Sequence, residues 1–446
     1  MLAPLLSLSP SPTPRLPTTA TVLTTLIIAR HYAAAAMPPL GQRLRSLLLL
    51  PPAPSPPSYD ALKAAYQPCL STVLRRLARS PQRAQSPAVL DIILPCPHLY
   101  GRLAKPRGPL YATTQSLVAG LYKLLCTISA KDSIDTEDAE GVDARIVLVA
   151  YPRDGNFTQP SEDATAEQEA QGPAINLHTL ARSTRAWDTV YSVHTEQGEA
   201  VLQNFLSLSP PGINVSKIRG GIQINSPQSS DPSVEDHAAQ NHVSVAVGGT
   251  FDHLHIGHKL LLTMFAFVLG RRPLSADSSK VSNVLTIGIT GDQLLKNKKY
   301  AEFLEGWQQR QQAVHDFLSS LIYFGQPDDA RIRVEEKNDP GPNGHAVHVT
   351  FPFNLVMRYV EIWDPFGPTI TDESISALVI SKETRSGGKA VNDKRAEKGW
   401  GPLEVFEVDV LDAGEMETVD ETFQSKLSST EIRRMRSERL RPETSA

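Results

Sequence analysis

The sequence predicts an α/β protein with a mostly parallel sheet, preceded by a smaller α/β region and a disordered N-terminal segment. Three observations carry that prediction. Past residue 241, short apolar strands alternate with helical patterns, the rhythm of strand–helix–strand crossovers. Residues 58–207 repeat the rhythm in shorter form. Residues 1–57 are rich in Pro, Ser and Ala and close on PPAPSPPS, a composition that reads as disordered. A chain of 446 residues is long enough for two or three cores.

The elements follow in order. Residues 58–207 hold a helical pattern over 59–77, a strand over 89–94, a helix over 113–128 and a strand over 145–150, then an acidic, polar stretch at 161–173. Residues 208–240, rich in Ser, Pro, Asp and Gln, read as a linker. Beyond it, a strand at 242–247 leads into a helix at 258–269, and a strand at 284–290 into a helix at 309–324. Strands at 331–336 and 377–381, a helix at 388–399 and a strand at 403–410 come next, with a last helix beginning near Ser429. Parallel strands covered on both faces place ligands outside their carboxyl ends, near a switch in strand order. The domain at 241–446 is expected to fold and act on its own.

Composition excludes several classes. A net charge of −4 gives no support to a nucleic-acid binder dominated by phosphate contacts. The apolar run at 20–29 is shorter than the ~20 residues of a spanning helix and is interrupted by Arg30 and His31, so no membrane partner is expected. Cys69, Cys96 and Cys126 lack CxxC spacing, which points to buried thiols rather than zinc or a disulfide framework. A cytoplasmic location is expected. Residues 1–59 also contain no Asp or Glu but carry Arg15, Arg30, Arg43 and Arg45, as a mitochondrial presequence does. The many prolines oppose a presequence helix, and Met37 as the true start is a third reading.

Chemistry concentrates in VAVGGTFDHLHIGHKLLL, residues 245–262. Gly248 and Gly249 carry no Cβ, so backbone amides can approach a phosphate, and Thr250 offers a hydroxyl at the same rim. His255 and His258 project from one face of a first helical turn, where free N–H groups and the helix dipole favour an anion. At SSTEIR, Ser428, Ser429 and Thr430 open another helix, with Arg433 one turn on. LLKNKKY places Lys296, Lys298 and Lys299 after the second strand of the domain, and their spacing does not choose among them. Asp252 is read as orienting backbone or a histidine, and Arg434, Arg436 and Arg439 as solvated.

GGTFDHLHIGHKLLL resembles the nucleotidylyltransferase superfamily, whose hallmark is a GxFDxxHxGH-type segment; the HxGH signature also occurs in class I aminoacyl-tRNA synthetases. WDPFGPTITDESISALVISKETRSGGKAVNDKR, residues 363–395, and KLSSTEIRR, residues 426–434, are similar to the eukaryotic, fungal-type phosphopantetheine adenylyltransferases. The resemblance covers about residues 243–436. It implies a Rossmann-like nucleotidylyltransferase domain that transfers AMP from ATP to 4′-phosphopantetheine, giving dephospho-CoA and pyrophosphate in coenzyme A biosynthesis. It implies catalysis by His258 and His255 with Lys296. ATP would be held by Gly248, Gly249, Thr250, Phe251, His258, Gly388, Lys389, Glu397, Ser428, Ser429, Thr430 and Arg433. Phosphopantetheine would be held by Thr250, Lys296, Lys299 and Arg385. Mg²⁺ would arrive with ATP, and no protein-held metal is expected.

The sequence departs from the family at one turn. Bacterial relatives carry an RGLRAV-like segment; here it reads RSGGKAV. Lys389 can replace the second arginine as a point charge, Arg385 is offset by one residue, and Glu397 reads equally well as a solvated helix glutamate. A cytidylyltransferase acting on a phospho-alcohol, a synthetase (disfavoured because no KMSKS-like motif or basic tRNA-binding domain occurs) and a non-catalytic scaffold of the pathway are the alternatives. Residues 58–207 hold no readable motif; packing on the catalytic domain and recruiting other enzymes of the pathway both stay open. No GxxxxGK[ST] loop occurs, so the product is expected to pass to a separate kinase.

Overall fold

The computed structural model describes residues 44–80, 87–136, 141–156, 172–223, 239–270, 282–326, 328–409 and 428–440. All lie in one compact unit, Gly41–Ala446. The expectations for 1–43, for nearly all of the acidic stretch and for most of 224–240 fall outside the described residues.

The first sheet is built from β1 (Arg45–Leu49), α1 (Tyr59–Ala78), β2 (Ala88–Cys96), α2 (Gly108–Lys131), β3 (Val142–Ala150), β4 (Ala174–Asn176), α3 (Leu177–Ala181), β5 (Thr189–His194), α4 (Glu196–Leu208) and β6 (Val215–Arg219). Its order is β4-β3-β2-β1-β5-β6, and every neighbouring pair is parallel. Two expectations are corrected here. β1 lies inside the segment expected to be disordered, yet it is a central strand whose Leu47, Leu48 and Leu49 are fully buried. A central parallel strand needs apolar side chains on both faces, and the leucine run supplies them among the prolines. β6 lies inside the expected linker; it is an edge strand with mostly half-exposed or exposed side chains, so its composition stays polar.

The second sheet is built from β7 (Ser244–Gly249), α5 (Ile256–Val268), β8 (Asn283–Thr290), α6 (Trp307–Ile322), β9 (Arg333–Asn338), β10 (His345–Phe351), β11 (Leu355–Ile362), β12 (Ala377–Ser381), α7 (Arg385–Glu397) and β13 (Glu404–Val408), with α8 (Ser429–Leu440) last. Its order is β13-β12-β7-β8-β11-β10-β9. β13 through β11 run parallel, and β10 and β9 extend the sheet antiparallel. The α/β class and the mostly parallel sheet are therefore as the sequence predicts. The β10–β11 hairpin was not anticipated. Its turn places Asn354 at a left-handed φ of 57°, and β11 begins by alternating buried and half-buried residues.

From β7 the chain passes to β8, crosses to the far edge at β9, comes back through β10 to β11 beside β8, and then returns to β12 on the other side of β7. The strand order therefore switches beside β7, and a crevice opens at its carboxyl end. The helix that leaves this end, α5, is buried along its whole length except Gly257 and His258. A helix apolar on all sides lies between two layers: α5 packs on β7 and β12 and, across from them, on α2 of the first sheet. The three cysteines are buried, as expected, and burial pushes the Cys69 thiol up to about 12. Among the described residues no helix is long and apolar enough to cross a membrane.

Candidate functional site

The loop from β7 to α5 is forced into an unusual shape. Phe251 and His253 hold left-handed φ angles of 53° and 47°, which non-glycine residues keep only when their surroundings fix them. Phe251 is fully buried, and its ring lies where a Cβ on Gly249 would stand, 3.0 to 3.2 Å from three ring carbons. Gly249 is thus needed for this packing, while a Cβ on Gly248 would meet nothing within 4 Å. The exposed Gly248 leaves the strand end open to a ligand.

Arg310 of α6 ties this loop to the neighbouring strand ends. Fully buried, it donates from Nε to the Glu305 carbonyl (2.9 Å) and from Nη1 to the Thr250 carbonyl (2.7 Å). Its Nη2 reaches the Thr290 carbonyl (2.8 Å) and Asp292 Oδ1 (2.6 Å). No motif marks Arg310. The available signal was its place in the buried stripe of α6, three residues after Trp307 and four before Val314.

The two motif histidines meet at the start of α5. His255 is the N-cap, its Nδ1 accepting the His258 N–H at 3.4 Å, and the two rings stack at 3.8 Å with 19° between their planes. Burial, reinforced by the neighbouring His258 and Lys259, holds His255 well below the usual imidazole range. His258 is half-buried at the rim, and desolvation lowers it to about 4. Both rings are neutral at pH 7 and can donate one N–H without carrying charge.

Asp252 and Arg433 join the loop to α8. The fully buried Asp252 accepts the Glu305 N–H at 3.0 Å and the Arg433 guanidinium, and its carbonyl accepts the Ser429 hydroxyl at 2.7 Å. Arg433 also donates to the Lys299 carbonyl (3.1 Å) and to Thr430 Oγ1 (3.2 Å). The guanidinium expected on ATP phosphates is therefore engaged within the protein, because a buried carboxylate stands in its reach. The partnership was invisible in sequence, since the two residues lie far apart in the chain. Nearby, His253 donates from Nε2 to the Phe303 carbonyl at 2.9 Å, with Nδ1 3.3 Å from Glu305. Burial opposes charge on both groups, yet their contact prevails: His253 is raised and Glu305 lowered, each favouring the charged form of a partly buried pair. Asp252, His253 and Glu305 have the proximity of metal ligands. Each carboxylate already faces a cationic side chain, so the set does not ask for a metal.

The other expected residues fall around this centre. Lys296, Lys298 and Lys299 are exposed just beyond β8, their ammonium groups without a side-chain partner among the described residues. Ser428, Ser429 and Thr430 stand at the start of α8, against the loop. At the same sheet end, beyond β12, Arg385 pairs with Glu407 (2.7 Å), and Lys389 pairs with Asp393 (2.8 Å) a turn on. Glu397, expected at the ATP site, pairs with Lys394 (2.7 Å) at the far end of α7, where the adjacent Arg395 donates to the carbonyls of Ile375 and Gly401 ahead of β12 and β13; the helix carries it to the opposite end of the strands from the histidines. Gly388 is buried, and a Cβ there would lie 3.1 Å from Ile380 and 3.3 Å from Val405. That glycine seats α7 on its sheet. Among the expected residues, direct contacts join the β7 loop to Ser429, Arg433 and the Lys299 backbone only through Asp252; α7 shares the sheet edge without a described contact to the histidines.

A mostly parallel sheet with a glycine–histidine loop at its switch point defines a Rossmann-like domain. Comparison with known proteins narrows the class. Residues 36–224 match a domain of unknown function (DUF8446). An uncharacterized protein of Schizosaccharomyces pombe is 32% identical over 57% of this chain and 66% of its own length. A phosphopantetheine adenylyltransferase of Saccharomyces cerevisiae is 37% identical over 43% of this chain and 47% of its own length. One from Thermococcus kodakarensis is 31% identical over 37% of this chain and 74% of its own length. The matched region thus spans about half to two thirds of the two yeast proteins and most of the archaeal one. The chain belongs to the phosphopantetheine adenylyltransferase family.

Proposed function

We propose that the protein transfers AMP from ATP to 4′-phosphopantetheine, giving dephospho-CoA and pyrophosphate. The observation that carries this reading is the stacked, neutral His255–His258 pair at the start of α5, set at the switch point of the second sheet. The family membership and the names of the relatives support the choice of substrates.

The chemistry asks little covalent work of the protein. A phosphate oxygen of phosphopantetheine forms a bond to the α-phosphorus of ATP. The bond from that phosphorus to the bridging oxygen breaks, and its electron pair leaves with pyrophosphate. The nucleophile is already an anion, so no side chain must remove a proton. Catalysis is then alignment, plus neutralisation of charge growing on the α-phosphate and leaving group. His258 donates an N–H to the α- or β-phosphate oxygens, and His255 fixes the ring by stacking on it. A lysine among Lys296, Lys298 and Lys299 holds the phosphate of phosphopantetheine, with Thr250 beside it. The amides of Ser428, Ser429 and Thr430 and the hydroxyls of Ser428 and Thr430 receive the outer phosphates, the Ser429 hydroxyl being held by the Asp252 carbonyl. Arg433 serves by pinning that helix start to Asp252. Gly388 and Lys389 of α7 would face the nucleoside, Glu397 at the far end of that helix takes no part, and Arg385 would reach substrate by leaving Glu407, a small cost for an exposed pair. Mg²⁺ enters as part of the ATP substrate.

The test is pyrophosphate release from ATP and Mg²⁺, with phosphopantetheine present and then omitted. Release that depends on phosphopantetheine is expected. Equal release without it, or none with it, rejects the reading.

A further inference from the structure

The first sheet has a switch point of its own. Its order reverses between β1 and β5, where ligands enter such sheets. There the chain after β1 fills the space: Pro51, Pro52, Ala53 and Pro54 are buried. The Ala53 N–H donates to the Pro95 carbonyl at 3.1 Å, and the Tyr66 hydroxyl to the Pro51 carbonyl at 2.9 Å. What this half of the molecule presents instead is a surface against α5.

Three residues of α5 spaced by four form the facing stripe. Lys259 donates from Nζ to Asp143 Oδ1 of β3 at 2.9 Å. Thr263 Oγ1 lies 3.4 Å from the Tyr122 hydroxyl of α2, and the Arg107 guanidinium stands 5.2 Å above the Phe267 ring. Lys259 is only 4% exposed, and an ammonium so enclosed needs a fixed anion. Asp143 is fixed twice. Its strand pairs in register with β2, and its Oδ2 receives Arg145 Nη2 at 2.6 Å. At the other end of the contact, the Lys259 N–H donates to the His255 carbonyl at 3.0 Å, closing the turn that carries both site histidines.

We propose that Asp143 is a positioning residue for AMP transfer: through Lys259 it holds the first turn of α5, and with it the stacked His255 and His258, so that the first sheet is a wall of the active site. The kinetic part of this inference rests on the AMP-transfer reading; the structural part does not.

The experiment uses the full chain carrying Asp143→Asn. At saturating substrates, kcat for dephospho-CoA formation should fall on the order of tenfold, the scale of a small misplacement of a reacting group, with KM for ATP little changed. Amide hydrogen exchange should quicken in residues 256–260 and stay as in the wild type in β8. Combined with His258→Ala, Asp143→Asn should cost nothing further in kcat, because the group being positioned is gone. Should Asp143→Asn fail to fold, Asp143→Asn with Lys259→Met removes both charges at similar size and carries the same expectation. Wild-type kcat with wild-type exchange in either folded variant overturns the proposal. So does an undiminished further loss in the His258→Ala background, which would mark a general destabilisation. If the wild type makes no dephospho-CoA, the AMP-transfer reading fails, while exchange in the first turn of α5 still decides whether Asp143 holds it.

Discussion

His258 stands at the rim of the crevice with its ring stacked on His255, where a neutral N–H donor can meet a phosphate oxygen. Removing one donor to transition-state charge costs about 10²-fold in kcat. His258→Ala should show that loss with a nearly unchanged melting temperature, since the residue stands half-buried in the first helical turn, at the rim, and is not core. A variant retaining most of its turnover would free His258 from this role. The same pair makes an acid prediction. In the unfolded chain each imidazole takes up a proton near pH 6.5, whereas His258 in the folded protein resists until about 4 and His255 also resists. The unfolded state binds more protons through that window, so stability should fall as pH drops from about 6.5 toward 4. Urea midpoints at pH 7, 5.5 and 4.5, with His255→Gln as the comparison, measure it; an equal slope in the variant would contradict the assignment. Arg433 makes a third. Arg433→Met leaves Asp252 buried without its cation, a loss of about 3–5 kcal/mol by denaturation.

Among the elements, α6 ties the start of the loop after β7 to the end of β8, through Arg310. Arg310→Met would remove four hydrogen bonds to the ends of β7 and β8 and to the Glu305 and Asp292 loops. At roughly 1.5–3 kcal/mol for a hydrogen bond to a charged group, even partial relaxation leaves a loss of several kcal/mol. A thermal midpoint within a degree or two of wild type would show the loop is held by other means. Elements of this kind divide by how local their signal is. The β7–α5 unit is legible because glycines, histidines and the apolar helix adjoin in sequence. β1 is not, because a five-residue strand is swamped by the prolines on both sides. Arg310 and the Asp252–Arg433 pair are not, because buried polar contacts form between distant residues and leave only a misplaced charge in an apolar stripe as their trace.

At the scale of the molecule, the two sheets share α5. The polar composition after residue 208 suggests a boundary, and residues 241–446 were expected to act alone. Nothing local announces that α5 carries a second buried face; the one hint is Lys259 within HKLLLTMFAFV. Cutting there would expose Thr263 and Phe267 to water and strand the Lys259 ammonium. The fragment 241–446 should therefore be insoluble or inactive, and co-expression with residues 41–223 should recover it. A soluble, fully active fragment would return the first sheet to an accessory place. The most direct test of the central claim follows the phosphorus. Full-length protein is incubated with Mg²⁺, phosphopantetheine and ATP labelled at either the α- or the γ-phosphate, and the products are separated. AMP transfer predicts α-label in dephospho-CoA and γ-label in pyrophosphate, in equal molar amounts, with CTP giving neither. Label retained in ATP, γ-label transferred to the acceptor, or turnover with CTP in place of ATP would contradict it.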